Sequence, residues 1–249
     1  MNSNLKNRLR LGFLFPGHSA EDDYPYLGNL VTPEVDASVV HTDVHVDAHE
    51  EQALRETGSA ECLLKGAKVL RRNRVDAAMW ACTSGSFVFG LSGATEQALT
   101  IQNFLGVPTS STSLAFVAAL KAMGIHRVAM AATYPAEVSV MFKNFLSEAG
   151  IATSHVGCLG IITGVEVGAV GKEDVIQFVV KNDSAEAQAI IVPDTALHTA
   201  KFIDELESAV DGKPVLTANQ VTIWHALRMA KHPNPIVRKG LGTLFRSDG

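Results

Sequence analysis

The chain has 249 residues, of which 47% are hydrophobic and 19% are charged, and its formal net charge is −5. This composition excludes a disordered chain, which needs few apolar residues and a high net charge. The acidic balance and an aromatic content of 6% argue against nucleic acid or an anionic membrane surface as the main partner. Three cysteines without a CxxC pair favour reduced thiols, and no apolar stretch has the length of a membrane span. We therefore expect a cytoplasmic globular protein.

Short apolar runs of strand length alternate along the chain with segments of helical periodicity. The predicted strands are 11–15, 37–40, 77–81, 128–132 and 189–192, and the predicted helices between them are 50–72, 95–105, 113–123, 136–149, 173–181 and 200–210. Strands that are apolar on both faces, with helices between them, are typical of parallel sheets. The sequence therefore predicts an α/β fold.

The second part of the chain repeats the first in three stretches that keep the same order. Residues 10–16 resemble 127–135, residues 76–84 resemble 188–196, and residues 106–120 resemble 212–227. The repeat predicts two parallel-sheet α/β halves related by a pseudo-twofold axis, with the active site in the cleft between them. We assign 1–110 to the first half, 111–230 to the second half and 231–249 to a C-terminal tail, and leave open whether the halves exchange terminal segments.

The repeat pairs Cys82 with Asp194, because each residue ends a hydrophobic strand and each precedes a threonine. Cys82 also opens a turn of small residues, Cys-Thr-Ser-Gly-Ser-Phe, that leads into a helical segment. Backbone N–H groups and the hydroxyls of Thr83, Ser84 and Ser86 are placed there to receive an anion, and the positive helix end is expected to lower the pKa of the thiol. The alternative to a reactive thiol is a small buried cysteine that only fills a tight turn. The pairing of Cys82 with a carboxylate makes this alternative less favoured.

Five motifs follow one another in an order that points to one enzyme family. They are Ala81-Cys-Thr-Ser-Gly-Ser-Phe87, Gly106-Val-Pro108 with Ser111-Thr-Ser, Ala132-Thr-Tyr-Pro135, Leu159-Gly-Ile-Ile-Thr-Gly-Val-Glu166, and Ala218-Asn-Gln with Trp224-His-Ala-Leu-Arg228. Through this ordered set of motifs, the chain resembles the arylmalonate decarboxylase and maleate cis-trans isomerase family, within the aspartate/glutamate racemase superfamily. The resemblance implies two pseudo-symmetric parallel sheets with the active site between them, no metal or organic cofactor, and a small carboxylic acid as the substrate.

The resemblance also implies how the two paired residues act. In that family a pair of cysteines, one from each half, flanks the carbon next to a carboxylate. Maleate isomerases carry both cysteines, and the decarboxylases keep only the second. This sequence has the first, Cys82, and carries Asp194 where the second would fall. The resemblance therefore implies that a thiol acts as nucleophile or base on one side of the substrate and that a carboxylate acts as general acid or base on the other side.

A set of polar residues is expected to bind the substrate carboxylate. It comprises Thr83, Ser84, Tyr134, Ser19, His18, Thr195 and Asn219. Thr83, Ser84 and Tyr134 match family positions that hold the carboxylate and stabilise its enediolate. His18 and Ser19 stand where the isomerases usually offer an asparagine to a second carboxylate.

Two polar stretches leave alternatives open. In the stretch His41-Thr-Asp-Val-His-Val-Asp-Ala-His49, the two-residue period of a strand places His41, Asp43, His45 and Asp47 on one face. A metal site is one interpretation, since histidine and carboxylate suit zinc, but a solvated strand edge that leads into a helix is favoured, and we predict no metal. Asn219 is either a polar cleft residue or a helix cap.

Isomerisation at the carbon α to a carboxylate of a small dicarboxylic or related acid is the leading functional hypothesis. Decarboxylation of a substituted malonate, with Cys82 delivering the proton, and racemisation are the alternatives within the family. A ligand-binding relative that has lost catalysis is the alternative from a different class. We expect the protein to be a homo-oligomer.

Overall fold

The computed structural model describes residues 8–33, 35–232, 236–237 and 239–246. The first part of the chain forms β1 (Arg10–Phe15), α1 (Asp23–Leu30), β2 (Val31–Thr32), β3 (Asp36–His41), α2 (Glu51–Thr57), α3 (Ala60–Leu70), a 3-10 turn (Arg71–Asn73), β4 (Ala77–Trp80), α4 (Ser84–Phe87), α5 (Gly90–Leu105), β5 (Thr109–Ser111) and α6 (Thr112–Ala122). The second part forms β6 (Arg127–Ala132), α7 (Ala136–Glu148), β7 (Ala152–Cys158), α8 (Gly164–Gly168), α9 (Lys172–Lys181), β8 (Ala189–Val192), α10 (Ile203–Ala209), β9 (Val215–Thr217), α11 (Ala218–Met229), β10 (Ile236–Val237) and a 3-10 turn (Thr243–Phe245).

Two four-stranded parallel sheets with the same topology organise these elements. The first has the strand order β3-β1-β4-β5 and the second has the order β7-β6-β8-β9. In the first sheet Leu14 pairs with Val40 on one side and with Trp80 on the other. The third strands, β4 and β8, are buried along their whole length, as expected for apolar runs covered on both faces. The prediction of an α/β protein with two parallel sheets is confirmed.

The predicted helix over 50–72 is interrupted at Gly58, so that α2 and α3 are separate helices. Ser59 caps α3 by accepting the backbone N–H of Cys62. A Cβ atom at Gly58 would lie 2.1 Å from the carbonyl oxygen of Gly85. The side-chain amide of Gln97 donates to the carbonyl oxygens of Gly58 and Gly85, at 2.6 and 2.9 Å. The break therefore lets the helix pair approach the turn that follows β4.

Helix α11 follows the second sheet in the chain but packs on α6, β4 and β5. The hydroxyls of Thr112 and Thr222 lie 2.7 Å apart across the α6–α11 contact. In the predicted tail 231–249, the backbone N–H groups of Gly240 and Gly242 donate to the Asp204 carboxylate of α10. Both stretches thus return to parts of the molecule that are distant in sequence. The division at 110/111 stays a prediction.

Aromatic side chains fill the core next to the carboxyl ends of the third strands. Phe87 of α4 stacks on Phe142 of α7 with the ring centroids 4.9 Å apart, and Phe116 of α6 packs against the same ring. Phe87 also presents its edge to Tyr134 at 5.8 Å. Such buried rings each stabilise a fold by about 3–5 kcal/mol relative to alanine. None of the helices in the described part of the chain is long and apolar enough to cross a membrane.

Candidate active site

Cys82 and Asp194 occupy equivalent positions in the two sheets. Cys82 lies two residues beyond β4 and Asp194 two residues beyond β8, and each strand is the third of its sheet. Both residues line one cavity with a volume of about 40 Å³. The carboxyl ends of parallel strands commonly form ligand sites, because the loops there converge. The structure therefore brings together the two residues that the repeat pairs.

The Cys82 side chain is nearly inaccessible, at 5% exposed. Its Sγ accepts the backbone N–H of Gly85 at 3.3 Å and lies 3.8 Å from the Ser84 hydroxyl. Burial, opposed by these hydrogen bonds and reinforced by the Asp194 carboxylate, raises the pKa of the Cys82 thiol to about 11. The expected lowering of this pKa is wrong, because α4 has only four residues and so short a helix cannot outweigh desolvation. The resting site holds a thiol.

The Asp194 carboxylate is held by three neighbours. Its Oδ2 accepts the Thr133 hydroxyl at 2.5 Å, and its Oδ1 accepts the backbone N–H of Ala196 at 2.9 Å. The ring atom Nε2 of His49 lies 3.8 Å from Oδ2. Hydrogen bonds to both oxygens fix the plane of the carboxylate at the cavity wall.

The hydroxyl of Tyr134 lies close to Thr83 and Ser84, two other residues that are predicted to bind the substrate carboxylate. The hydroxyl donates to the carbonyl oxygen of Pro193 at 2.8 Å. Burial raises the pKa of Tyr134 well above its usual value, while the neighbouring Thr83 and Ser84 side chains act in the opposite direction. The buried Thr83 hydroxyl makes no hydrogen bond to any described residue. An unpaired buried hydroxyl costs free energy that a bound carboxylate oxygen would recover.

The remaining predicted residues divide between the cavity and its surroundings. His18 and Thr195 line the cavity with Cys82 and Asp194. Ser19 does not, because its hydroxyl lies 2.9 Å from Nε2 of the half-exposed His198 instead. The structure therefore supports His18 and leaves Ser19 outside the cavity lining.

Asn219 also lies outside the cavity, in a buried polar network. Its side-chain oxygen accepts the Tyr24 hydroxyl at 2.8 Å, and its amide nitrogen donates to Asp23 at 3.0 Å. The helix-cap alternative is wrong, since Thr217 is the N-cap of α11 and its backbone N–H donates to the side-chain oxygen of Gln220. Asn219 ties α11 to α1, and its role in binding a substrate carboxylate stays a prediction.

Sequence reasoning missed two residues that contact Asp194, namely Thr133 and His49. Thr133 directly follows β6, so a polar residue at a strand end was the available signal. His49 is buried and packs its ring against the Tyr134 ring, with the centroids 4.8 Å apart. It closes the histidine-rich stretch that the sequence presents, but strand periodicity draws attention to the other members of that stretch.

The strand face predicted over 41–47 does not form, because β3 ends at His41. The Asp43 carboxylate pairs with Lys65 at 3.3 Å. Asp47 instead accepts the backbone N–H of Gly164 at 2.8 Å, at the start of α8. The four residues therefore do not converge, and the metal interpretation of this stretch is wrong.

Two parallel sheets of one topology, with a thiol and a carboxylate at equivalent strand ends, define an α/β enzyme that builds one site from two sheets. A model of the arylmalonate decarboxylase family matches residues 36–245. Arylmalonate decarboxylase from Bordetella bronchiseptica is 30% identical over 166 residues, which are 66% of this chain and 68% of that protein. The chain belongs to the arylmalonate decarboxylase family, and the main functional prediction and its alternative both fall within this family.

Solved structures share the fold over almost the whole chain. A cysteine-to-serine mutant of maleate cis-trans isomerase from Nocardia farcinica, with a covalently bound succinylcysteine intermediate, has a TM-score of 0.85 at 21% identity and covers 98% of this chain and 100% of that chain. A cysteine-to-alanine mutant of maleate isomerase from Pseudomonas putida S16, with maleate, has a TM-score of 0.84 at 21% identity, with coverage of 97% and 99%. These likenesses establish the two-sheet architecture.

Proposed function

We propose that this enzyme interconverts the cis and trans forms of a small unsaturated carboxylic acid, with maleate as the first substrate to test. The observation that carries the proposal is the meeting of the Cys82 sulfur and the Asp194 carboxylate in one buried cavity. A thiol supplies a nucleophile for a carbon–carbon double bond, and a carboxylate supplies a group that takes part in proton transfer.

The proposed reaction begins when Cys82 gives up its proton to a base and its sulfur bonds to one alkene carbon. The π electrons move onto the carboxylate attached to the other alkene carbon, which becomes an enediolate. The bond between the two carbons is then single and rotates. The electrons return, the carbon–sulfur bond breaks, and the proton goes back to the sulfur. Atoms and electrons balance, so the reaction needs no oxidant, reductant or organic cofactor.

Hydrogen-bond donors near Cys82 suit the enediolate. Thr83 has a free buried hydroxyl, and Ser84 and Tyr134 place two further hydroxyls beside it. To donate to the substrate, the Tyr134 hydroxyl gives up its hydrogen bond to the Pro193 carbonyl oxygen. Donors that are fixed before the reaction stabilise developing negative charge, and each is worth roughly 3–4 kcal/mol in comparable sites. We propose that these three hydroxyls hold the carboxylate that becomes the enediolate.

A relative supports thiol addition in a site that has lost one of its cysteines. The Nocardia farcinica isomerase carries a succinylcysteine intermediate in a mutant in which a cysteine is replaced by serine. A cysteine of that enzyme therefore bonds to the substrate carbon without help from the replaced one. In this chain Cys82 would likewise have to bond to the substrate without a second thiol, because it shares its cavity with Asp194.

Decarboxylation of a substituted malonate is the second candidate, favoured by the protonation state of Cys82. Loss of carbon dioxide leaves an enediolate, and a thiol with a pKa of about 11 retains a proton to deliver to its carbon. Val44, Val46 and Leu54 add apolar surface to the cavity, which suits a hydrophobic substituent on the malonate.

Proton NMR with maleate in D₂O, run in parallel with phenylmalonate, tests both candidates. We expect fumarate from the intact protein and none above background from Cys82→Ala. Cys158→Ala is the matched control, because Cys158 is exposed and should leave the rate unchanged. Conversion of phenylmalonate alone would replace isomerisation by decarboxylation, and turnover of neither acid would overturn both candidates.

We propose further that the enzyme is a cytoplasmic homo-oligomer. The free thiol of Cys82 requires a reducing compartment, which the cytoplasm provides. Val69, Leu99 and Val140 are 47%, 47% and 49% exposed, and they belong to α3, α5 and α7, which pack side by side. Apolar side chains on neighbouring surface helices favour a contact with a second copy of the chain.

A further inference from the structure

His49 is a buried residue of the cavity whose ring has a fixed orientation. It ends the irregular segment 42–49 and is 9% exposed. Its backbone N–H donates to Ile162 at 2.6 Å, and its ring atom Nδ1 lies 2.9 Å from the carbonyl oxygen of Ile161. A carbonyl oxygen can only accept, so Nδ1 carries a hydrogen. Nε2 is therefore the ring atom that is available to gain and lose a proton.

The Nε2 atom of His49 faces the Asp194 carboxylate at 3.8 Å from Oδ2. This distance exceeds a hydrogen bond but lets the carboxylate stabilise a positive charge on the ring. Asp194 accepts hydrogen bonds from the Thr133 hydroxyl and from the backbone N–H of Ala196, which fix the carboxylate beside the ring. The Tyr134 ring packs edge-on against the imidazole, with an interplanar angle of 80°, and holds its plane.

We propose that His49 is the catalytic base and acid of this site. Its Nε2 takes the proton of Cys82 as the sulfur attacks the substrate and returns it when the sulfur leaves, while Asp194 stabilises the imidazolium. The S–H bond breaks as an N–H bond forms, and the sulfur electron pair forms the carbon–sulfur bond. The inference rests on the proposed function and assigns to His49 the proton transfer that the sequence alone assigns to Asp194.

Cys82 and His49 line the same small cavity. A cavity of about 40 Å³ has room for about three water molecules, one of which can carry the proton. Five ionisable groups share this environment with the ring. They are Cys82 from the turn after β4, Asp194 from the turn after β8, Tyr134 from the turn before α7, and the His18–Asp47 pair at 3.5 Å.

Alkylation of Cys82 as a function of pH tests the proton coupling without any substrate. The rate of iodoacetamide labelling is followed by peptide mass spectrometry in the intact protein, in His49→Gln and in His45→Gln. His45 belongs to the same segment but is exposed, so its replacement should have no effect. An opposite charge nearby shifts a pKa by about 1–3 units, so we expect Cys82 to react at least about 10-fold more slowly in His49→Gln near neutral pH. The exposed Cys158 serves as the internal reference.

Identical Cys82 profiles in the intact protein and in His49→Gln would overturn the role of His49, whether or not maleate is converted. A changed profile in a protein that converts no maleate would leave the His49–Cys82 coupling standing and remove only the proposed reaction. The two failures are therefore distinguishable.

Turnover gives a second, independent measurement. General acid–base catalysis contributes about 10²–10⁴-fold, so His49→Gln should lower kcat by at least about 100-fold and change KM by less than about threefold. His49→Ala with added imidazole separates catalysis from structure, since a purely structural role predicts no imidazole-dependent recovery of kcat. Recovery that rises with imidazole concentration supports the assignment, and unchanged kcat in both variants would overturn it.

Discussion

At the scale of single residues, burial decides the charge of Cys82. The backbone N–H of Gly85 and the hydroxyl of Ser84 both favour a thiolate at Cys82. Their effect is smaller than the cost of placing a charge in a site that is 5% exposed. A resting thiol that is to act as a nucleophile would need a base in the same cavity, which is lined by His49, Asp194 and the His18–Asp47 pair. The protonation state of one residue thus determines what its neighbours must do.

The raised pKa of Cys82 predicts how stability depends on pH. The folded-state value is about 11, and an unfolded cysteine titrates near 8.5, so the unfolded chain loses the proton first. The contribution of this thiol to the free energy of unfolding is therefore fully present below about pH 8 and is lost as the pH rises toward 11. The full loss is about 3 kcal/mol. Urea unfolding at pH 8 and pH 10.5 measures it.

Cys82→Ala should show a smaller fall in unfolding free energy between these two pH values than the intact protein. Cys158→Ala should keep the full fall, because Cys158 is exposed and lies outside the cavity lining. Equal pH slopes in the intact protein and in Cys82→Ala would contradict the raised pKa.

At the scale of elements, irregular segments rather than helices and strands complete the site. Segments 42–49 and 159–163 lie between regular elements and are joined by the hydrogen bonds of His49 to Ile161 and Ile162, and the first of them lines the cavity. The Asp47 carboxylate accepts the backbone N–H groups of Gly164 and Val165, at 2.8 and 3.2 Å. These two hydrogen bonds join segment 42–49 to the start of α8 beside the cavity.

Gly58→Ala tests the close approach between α2 and the Cys82 turn. The added Cβ would lie 2.1 Å from the Gly85 carbonyl oxygen, which is backbone and cannot rotate away. Overpacking of this kind costs about 1–3 kcal/mol, and it should also displace the Gly85 N–H that contacts Cys82. We expect a lower midpoint in urea and a lower isomerase rate.

The matched control is Gly171→Ala, where the added Cβ meets only a side-chain oxygen at 3.4 Å. Its cost should stay below about 1 kcal/mol, since Gly171 begins α9 at a position that needs no positive φ. Equal destabilisation by the two substitutions would show that the close approach at Gly58 is not what limits stability.

At the scale of the whole molecule, helix packing and a shared core join the two sheets. Helix α11 follows the second sheet in sequence but covers β4 and β5 of the first. Phe87 and Phe142 join α4 to α7 directly beside the cavity. A site formed from both sheets requires their relative position to be fixed within about 0.5 Å, and a continuous core across them provides this.

The outer face formed by α3, α5 and α7 predicts a homo-oligomer. Light scattering on a sizing column should give a mass of at least two chains, and Leu99→Asp should lower it, because a charge in an apolar contact costs free energy. Val180→Asp is the control, since Val180 is 46% exposed on α9, away from that face. A single-chain mass for the intact protein would exclude the oligomer.

The sequence by itself determined the α/β class, the two parallel sheets and the pairing of Cys82 with Asp194. Apolar runs of strand length can be satisfied only by burial on both faces, and a repeated sequence repeats its topology, so equivalent strand ends carry equivalent site residues. The cysteine turn and Tyr134 were found for the same reason, because they follow strands directly. Periodicity gave no such guidance in segment 42–49, which has no regular structure.

Only the tertiary structure decided the protonation state of Cys82, the position of His49 next to Asp194, and the position of Ser19 and Asn219 outside the cavity lining. A pKa depends on how much water surrounds the group, and burial arises from contacts between residues far apart in the chain. His49 is held by Ile161 and Ile162, more than a hundred residues away in sequence. No local pattern encodes such contacts, because irregular segments take their conformation from what they pack against.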